Sequence, residues 1–341
     1  MLREHIAITG GGTGGHLMVA DAIINELHER EIGVIFVGSS NGQDKQWFET
    51  NFKIHKAIFL DTRGVVNKGL LGKISSMYNM FSKMFDVIEY FNQYNVKKVV
   101  SVGGYSAAPA TFAAIFSRRD LFIHEQNSVM GSLNKYSAFF AKYIFNSFDP
   151  HCEIDAYPVK PEFFDAARIR EDVKKIIFLG GSQGAVFINN FALRVAPKLN
   201  QMGIAIVHQT GKSDFERVDA EYKKLGIEAD VFAFSTDIPH KMGHSDLAIS
   251  RAGASTLWEL TANALPTLFI PFPHAAKDHQ YTNAKFLVDK GVAFVKRERE
   301  LKDEYLFEIL EKEDIHAISK KLVDAIMLDG VKMIVDKILA K

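Results

Sequence analysis

"HIAITGGGTGGH", residues 5–16, runs an apolar stretch into a glycine cluster, with five glycines in the eight positions from Thr9 to His16. A helical pattern follows from about His16 to Glu29, and then the apolar run "GVIFVG" at 33–38. Strand, glycine loop, helix and strand in that order predict a parallel sheet whose loop lets a ligand approach the main chain closely. The rhythm continues: "VKKVVSVGG" precedes "SAAPATFAAIFS", and "LFIHEQN" precedes "SLNKYSAFFAKY". Such alternation implies sheets covered by helices on both faces.

The second half begins again in the same way. "KKIIFLGGSQGAVFINNFALRVAPKL" is strand, glycine loop and helix, and "GIAIVHQTGK", "DLAISRAGASTLWELTANA" and "PTLFIPF" extend the pattern. Between the halves, "AYPVKPEFF" carries two prolines three residues apart and reads as a stiff connection. A chain of 341 residues suits two domains. The expected fold class is α/β: two Rossmann-like, doubly wound parallel-sheet domains facing a cleft. The expected boundaries are 1–157 and 158–327, with a C-terminal helix at about 328–341 as a candidate to pack back on the first domain.

Hydrophobic residues make up 47% and charged residues 24%, the balance of a globular chain with a sizeable core. Lys+Arg and Asp+Glu are equal at 41 each, so net charge argues against a general nucleic-acid binder. The single cysteine, Cys152, excludes an internal disulfide and suits a reducing compartment. No apolar run reaches the roughly 18 residues that span a bilayer, and the N-terminus lacks a signal-peptide pattern. The expectation is a cytosolic protein that is free to touch a membrane surface.

A glycine loop opening a helix offers unpaired N–H groups at the positive end of the helix dipole, a ready phosphate site. "GGGTGGH", "GGSQGA" and "RAGAST" all fit, and three such loops favour a phosphate-rich ligand. A dinucleotide-dependent oxidoreductase would place an acid at the end of the second strand to hold the ribose. That strand ends in Gly38, Ser39 and Ser40. The Walker pattern is absent too, because "TGKSD" lacks the earlier glycine at the required spacing.

"GGTGGH", "GGYSAAPA", "HEQNSVMGSLNK", "GGSQGA", "HQTGK", "SRAGASTLWEL" and "PFPHAAKDHQYTNA" occur in that order over nearly the whole chain. The set resembles the MurG-type enzymes, bacterial UDP-N-acetylglucosamine–N-acetylmuramyl-(pentapeptide) pyrophosphoryl-undecaprenol N-acetylglucosamine transferases. The resemblance implies the GT-B fold, an acceptor- and membrane-binding first domain and a UDP-GlcNAc-binding second domain. It implies inverting transfer of GlcNAc to the MurNAc 4-hydroxyl of lipid I, giving lipid II for peptidoglycan. It also implies peripheral attachment to the cytoplasmic face of the inner membrane.

Carried over residue by residue, the resemblance assigns donor binding to Thr13, Gly14, Gly15, Asn127, Lys160, Ser182, Ser235, Gln280 and the run Ala254, Ser255, Thr256, Leu257, Trp258 and Glu259. Glu259 would take both ribose hydroxyls, Ser182 the α-phosphate, Gln280 and Asn127 the sugar hydroxyls, and the backbone near Ser235 the uracil. Three positions depart from the usual pattern: Lys160 where Arg is common, Val19 where Pro is common, and Ser235 where an apolar residue is usual. A lysine offers a point charge in place of a bidentate fork.

The transfer needs a base for the acceptor hydroxyl and stabilisation of the departing pyrophosphate. There is no Asp-x-Asp motif, so neither a metal nor a cofactor is implied. His240 and His244 are spaced four apart but lack the Glu and third ligand of a zinc site. Helix N-termini and Lys160 can carry the leaving-group charge. His16 is the candidate base, since a helix N-terminus favours the neutral imidazole; its other role would be to hydrogen-bond phosphate. Glu125 is the alternative base, and Tyr105 a contributor to acceptor binding.

"KGLLGKISSMYNMFSKMFDVI", 68–88, carries Leu71, Ile74, Tyr78, Phe81, Phe85 and Ile88 at helical spacing, which reads as a core stripe. Leu70, Met77, Met80 and Met84 widen the apolar face, with Lys68, Lys73 and Lys83 beside them. Apolar excess flanked by lysines suits an anionic lipid surface, whereas a fully buried helix would show the same residues. With a lipid-linked acceptor implied, membrane contact through about 68–88 is the expectation.

Overall fold

The computed structural model describes residues 4–12, 14–62, 70–181 and 184–340, with the side chains of 70–79 excepted. Contacts divide the chain into two compact units, Met1–Pro158 with Asp329–Lys341, and Val159–Leu328.

Among the described residues the first unit contains six strands: β1 (His5–Thr9), β2 (Gly33–Ser39), β3 (Lys56–Leu60), β4 (Val96–Ser101), β5 (Asp120–Glu125) and β6 (Tyr143–Asn146). They form one parallel sheet in the order β3-β2-β1-β4-β5-β6. Val34, Ile35, Phe36 and Val37 of β2 are all fully buried. Helices on both faces explain this, because they leave no wet side and the strand reads as a continuous apolar run.

The second unit repeats the plan with β7 (Lys175–Leu179), β8 (Ala205–Gln209), β9 (Ala229–Phe232), β10 (Leu247–Ser250), β11 (Thr267–Phe269) and β12 (Phe294–Val295). Its order is β12-β11-β10-β7-β8-β9, the same doubly wound topology met from the other edge. In each sheet the strand order reverses at one place, between β1 and β4 and between β7 and β10. The glycine loops leave the carboxyl ends of those strands, where such folds bind ligands. The two-domain α/β reading holds.

The helix Gly330–Leu339 closes the first unit, burying Ile334, Val335 and Ile338 completely. Lys98 donates to the carbonyls of Ile338 (2.7 Å), Leu339 (3.2 Å) and Ala340 (3.1 Å), putting a cation on the negative end of that helix. Arg30 pairs with Asp336 on the same helix.

The helix Leu70–Gln93 corrects the expected stripe. Met84, Val87 and Phe91 are the core positions, whereas Phe81 and Phe85 are 39% and 63% exposed. The two sets stand about 100° apart around a helix of 3.6 residues per turn, and packing against the sheet selects one of them. Met80 is half-buried, and Ile88 packs on the core cluster. Lys68 and the side chains of Leu70, Leu71, Lys73, Ile74, Met77 and Tyr78 lie outside the described residues.

The segment 296–314 is rich in charge but contributes to the core. Its helix Asp303–Lys312 buries Leu306 and Ile309.

Candidate functional site

In the first unit, three loops meet at the carboxyl ends of β1, β4 and β5. Val102 N–H donates to the Thr9 carbonyl at 2.8 Å and Gly11 N–H to the Gly103 carbonyl at 3.2 Å, knitting the first two together. Gly10 sits at φ +128°, and a Cβ there would stand 2.5 Å from the Gly103 oxygen; a Cβ on Gly104, at φ +83°, would stand 2.1 Å from the Gly11 oxygen. Only glycine fits backbones that approach this closely.

Beyond the loop the helix Gly14–Glu29 begins, so half-buried His16 lies in its first turn. The His16 ring stands over Gly103: a Cβ placed there would be 3.4 Å from His16 Nε2 and 3.2 Å from Asn134 Nδ2. Gly14 and Gly15 open the helix and are half-buried. Thr13 lies outside the described residues.

Glu125, at the end of β5, is buried and heavily engaged. Its Oε1 accepts from Asn127 N–H (3.1 Å), and its Oε2 accepts from Gly131 N–H (2.9 Å) and Asn134 Nδ2 (2.9 Å). Three donors on one carboxylate make it the organiser of the loop 126–131. Tyr105 is 37% exposed and donates its hydroxyl to the Asn41 carbonyl, so this phenol ties two loops together. Next to Glu125, the His124 ring is fully buried against Tyr157, with neither nitrogen hydrogen-bonded. Burial first, then the nearby His16, pushes its pKa down to about 3, so it is neutral.

The second unit assembles a different set. After β10, Gly253 takes an extended N-cap conformation and the helix Ala254–Ala262 starts. The backbone N–H groups of Ala254, Ser255 and Thr256 head that helix, at the positive end of its dipole. Leu257 and Trp258 turn their side chains into the core, at 0% and 2% exposure. Glu259 is half-buried, and burial pushes its carboxyl up to about 7, opposed by the charge of Lys160. The fold thus brings Lys160, from the start of this unit, to the residue one turn inside this helix.

Gln280 is half-buried and accepts the Phe272 N–H on Oε1 at 2.9 Å. The turn before it is strained: Lys277 and Asp278 hold φ of +52° and +56°. Arg297 fastens that turn with a two-pronged grip on Asp278 (3.1 and 2.6 Å), and its guanidinium stacks 3.8 Å over Tyr281. The ion pair holds the Asp278 carboxyl below its ordinary range. A cavity of about 440 Å³ adjoins this turn, lined by Phe187, Pro271, Pro273 and Arg297 among others. Ser235 accepts the Asp237 N–H on Oγ at 3.0 Å, a local turn that sets the backbone of its loop. Ser182 lies outside the described residues, between Gly181 and Gly184, both left-handed.

Behind that glycine loop runs a buried polar chain that the sequence did not flag. His208 meets the Tyr222 hydroxyl at Nδ1 (3.0 Å) and Asn189 Oδ1 at Nε2 (3.0 Å). Asn189 in turn donates to the Thr210 carbonyl (3.1 Å) and to Asp214 (2.7 Å). Burial lowers the His208 pKa to about 3. Arg170, fully buried, is likewise devoted to structure: it donates to the carbonyls of Arg168, Met242, Ser245 and Asn263. Among the described residues, no three His, Cys, Asp or Glu side chains gather as a metal cage.

Comparison with known proteins covers both units. The glycosyltransferase family 28 N-terminal domain matches residues 6–146 and the glycosyltransferase family 28 C-terminal domain residues 175–322. A protein of Campylobacter jejuni subsp. jejuni serotype O:6 is 49% identical over 98% of this chain and 97% of its own length. One of Wolinella succinogenes is 47% identical over 98% and 100%. Both bear the name UDP-N-acetylglucosamine–N-acetylmuramyl-(pentapeptide) pyrophosphoryl-undecaprenol N-acetylglucosamine transferase. The crystal structure of Acinetobacter baumannii MurG superposes with a TM-score of 0.83 at 27% identity, covering 98% of this chain and 99% of that one.

Proposed function

The chain belongs to glycosyltransferase family 28, and within it to the MurG-type N-acetylglucosaminyltransferases; on that premise we propose how its residues divide the reaction. The protein transfers GlcNAc from UDP-GlcNAc to the 4-hydroxyl of the MurNAc of lipid I, with inversion, making lipid II. The acceptor oxygen forms a bond to the anomeric carbon, the bond from that carbon to the β-phosphate oxygen breaks, and UDP leaves with the electron pair. The acceptor proton goes to a protein base.

The second unit is the donor side. Glu259 accepts the ribose hydroxyls, the amides of Ala254–Thr256 and the loop holding Ser182 bind phosphate, and Lys160 offsets the charge that develops on UDP. Gln280 and Asn127 meet the sugar hydroxyls, and the loop at Ser235 receives the uracil. The carrying observation is a carboxyl raised by burial beside Lys160, one turn inside a helix N-terminus. Such a group is costly to keep unless a ligand uses it.

The first unit is the acceptor side, with His16 as the base in the first turn of the helix that Gly14 and Gly15 open. Glu125 already accepts three N–H donors and is assigned to hold the loop around Asn127 in place. Tyr105 shapes the acceptor loop. The reaction places this unit at the cytoplasmic face of the inner membrane, where UDP-GlcNAc and the lipid-linked acceptor are both accessible. Phe85, Phe116, Phe139 and Phe140 are 63%, 62%, 91% and 56% exposed, with Lys83, Lys135 and Lys142 on the same elements or next to them. Exposed aromatics near lysines suit an anionic bilayer. None of the described helices is long and apolar enough to cross one.

The test is transfer of radiolabelled GlcNAc to a short-chain lipid I analogue. Wild type should transfer, and His16→Ala should lose about two to four decades in kcat. Binding of UDP-GlcNAc without transfer by wild type would overturn the reading. Phe85→Glu with Phe139→Glu should release the protein from anionic vesicles and spare UDP binding; unchanged vesicle binding would remove the membrane assignment.

A further inference from the structure

Asp44 has no part in the reaction described so far, yet its carboxylate is fully buried under the glycine loop. From the start of the helix Asp44–Phe48 it turns back. Its Oδ1 accepts the Gly12 N–H at 2.6 Å and its Oδ2 the Ser39 N–H at 2.9 Å. A Cβ on Gly11 would lie 2.4 Å from Oδ1, and one on Gly38 3.0 Å from Oδ2, so both glycines make room for this carboxylate. The Tyr105 ring closes the other side of the loop, where a Cβ on Gly12 would meet it at 2.5 Å.

An internal anion therefore occupies the Gly12 amide, which a phosphate-binding loop would otherwise offer to its ligand. The second unit provides the contrast. Asp214 stands five residues beyond the end of β8, as Asp44 stands five beyond β2. It spends its hydrogen bonds on the Asn189 side chain and Arg217, not on a glycine amide. Among the described residues, two topologically equivalent acids thus differ: one accepts a glycine-loop amide, and the other is held by Asn189 and Arg217.

We propose that Asp44 is a positioning residue: it fixes the loop that starts the His16 helix. The inference rests on the reading of the first unit as the acceptor side.

The experiment compares wild type, Asp44→Asn and Gly11→Ala, with folding checked by circular dichroism. Asn keeps the volume but cannot accept two N–H bonds as a carboxylate does; the Gly11 methyl displaces the carboxylate without removing it. In both variants the KM for a short-chain lipid I analogue should rise about tenfold and kcat should fall about tenfold. The KM for UDP-GlcNAc should stay within about twofold. Equal losses for donor and acceptor, which general destabilisation would cause, would overturn the proposal. So would wild-type kinetics in both variants. If Asp44→Asn does not fold, Gly11→Ala decides by the same criteria. If neither folds, Asp44 is a structural residue and the proposal fails. Absence of transfer by wild type would instead overturn the acceptor reading itself.

Discussion

Asn134 donates its side-chain N–H to Oε2 of Glu125 at 2.9 Å, so a helix residue and a strand-end carboxylate together hold the loop that carries Asn127. The bond separates two roles for Glu125. As a positioning group it should share its effect with Asn134. Glu125→Gln and Asn134→Ala should each lower kcat about tenfold, and the double variant should be little worse than the poorer single one. The acid limb of the pH–rate profile should survive in all three and vanish in His16→Ala. Loss of that limb in Glu125→Gln alone would make Glu125 the base.

Glu259 supplies a pH dependence with a definite sign. Its carboxyl is raised to about 7 in the folded protein from an ordinary 4.5, and the charged form is the one that accepts two hydroxyls. UDP affinity should therefore rise with pH through about 7, by about tenfold between pH 6 and pH 8. Without ligand, a raised carboxyl binds its proton more tightly when folded. This group's contribution to stability therefore weakens as pH climbs from 4.5 to 7. Glu259→Gln should flatten both trends; calorimetric titration and urea unfolding across that range read them.

His124 and His208 work in the opposite sense. Both are held near 3 by burial, below an ordinary 6.5, so the unfolded chain takes up protons that the native one refuses. Stability should fall as pH drops from 6.5 towards 3, by about 1.4 kcal/mol per pH unit for each ring. His124→Leu removes two buried nitrogens without partners, so at pH 7 it should match or exceed wild-type stability and lose one proton's worth of slope. His208→Leu should remove the same slope but destabilise at pH 7, because it strands Asn189 and Tyr222. Equal behaviour of the two variants at pH 7 would contradict this.

Lys98 tests the attachment of the last helix. Lys98→Met removes three donors from the carbonyls at its end and should cost about 1–2 kcal/mol. Hydrogen exchange should quicken selectively in Gly330–Leu339, and uniform exchange would refute a local role.

The periodic signals were legible because they are local. Apolar runs such as "GVIFVG" and the glycine loops announced both sheets and the carboxyl-end loops, since a strand covered on two faces has no choice of residue type. The ordered motifs named the family, and with it Glu259 and Lys160. The helix 70–93 was misread at Phe81, Phe85 and Met84 because two adjacent faces were both apolar, and only the sheet beneath could choose between them.

Asp44 escaped notice for a related reason. The sequence showed that the second strand lacks a terminal acid, and that much was correct. The acid lies five residues further on, and whether it faces solvent or turns back on Gly12 depends on a loop closure that no local pattern encodes. The same holds for Arg297 on Asp278 and for His208 on Asn189, partners 19 residues apart in each case. Residue order was enough for the strands, the two parallel sheets and the family. The long-range packing that buries a charge, shifts a carboxyl to about 7 or spends a carboxylate on three amides exists only once the sheets have closed, because desolvation and hydrogen-bond geometry are properties of surroundings and not of neighbours in the chain.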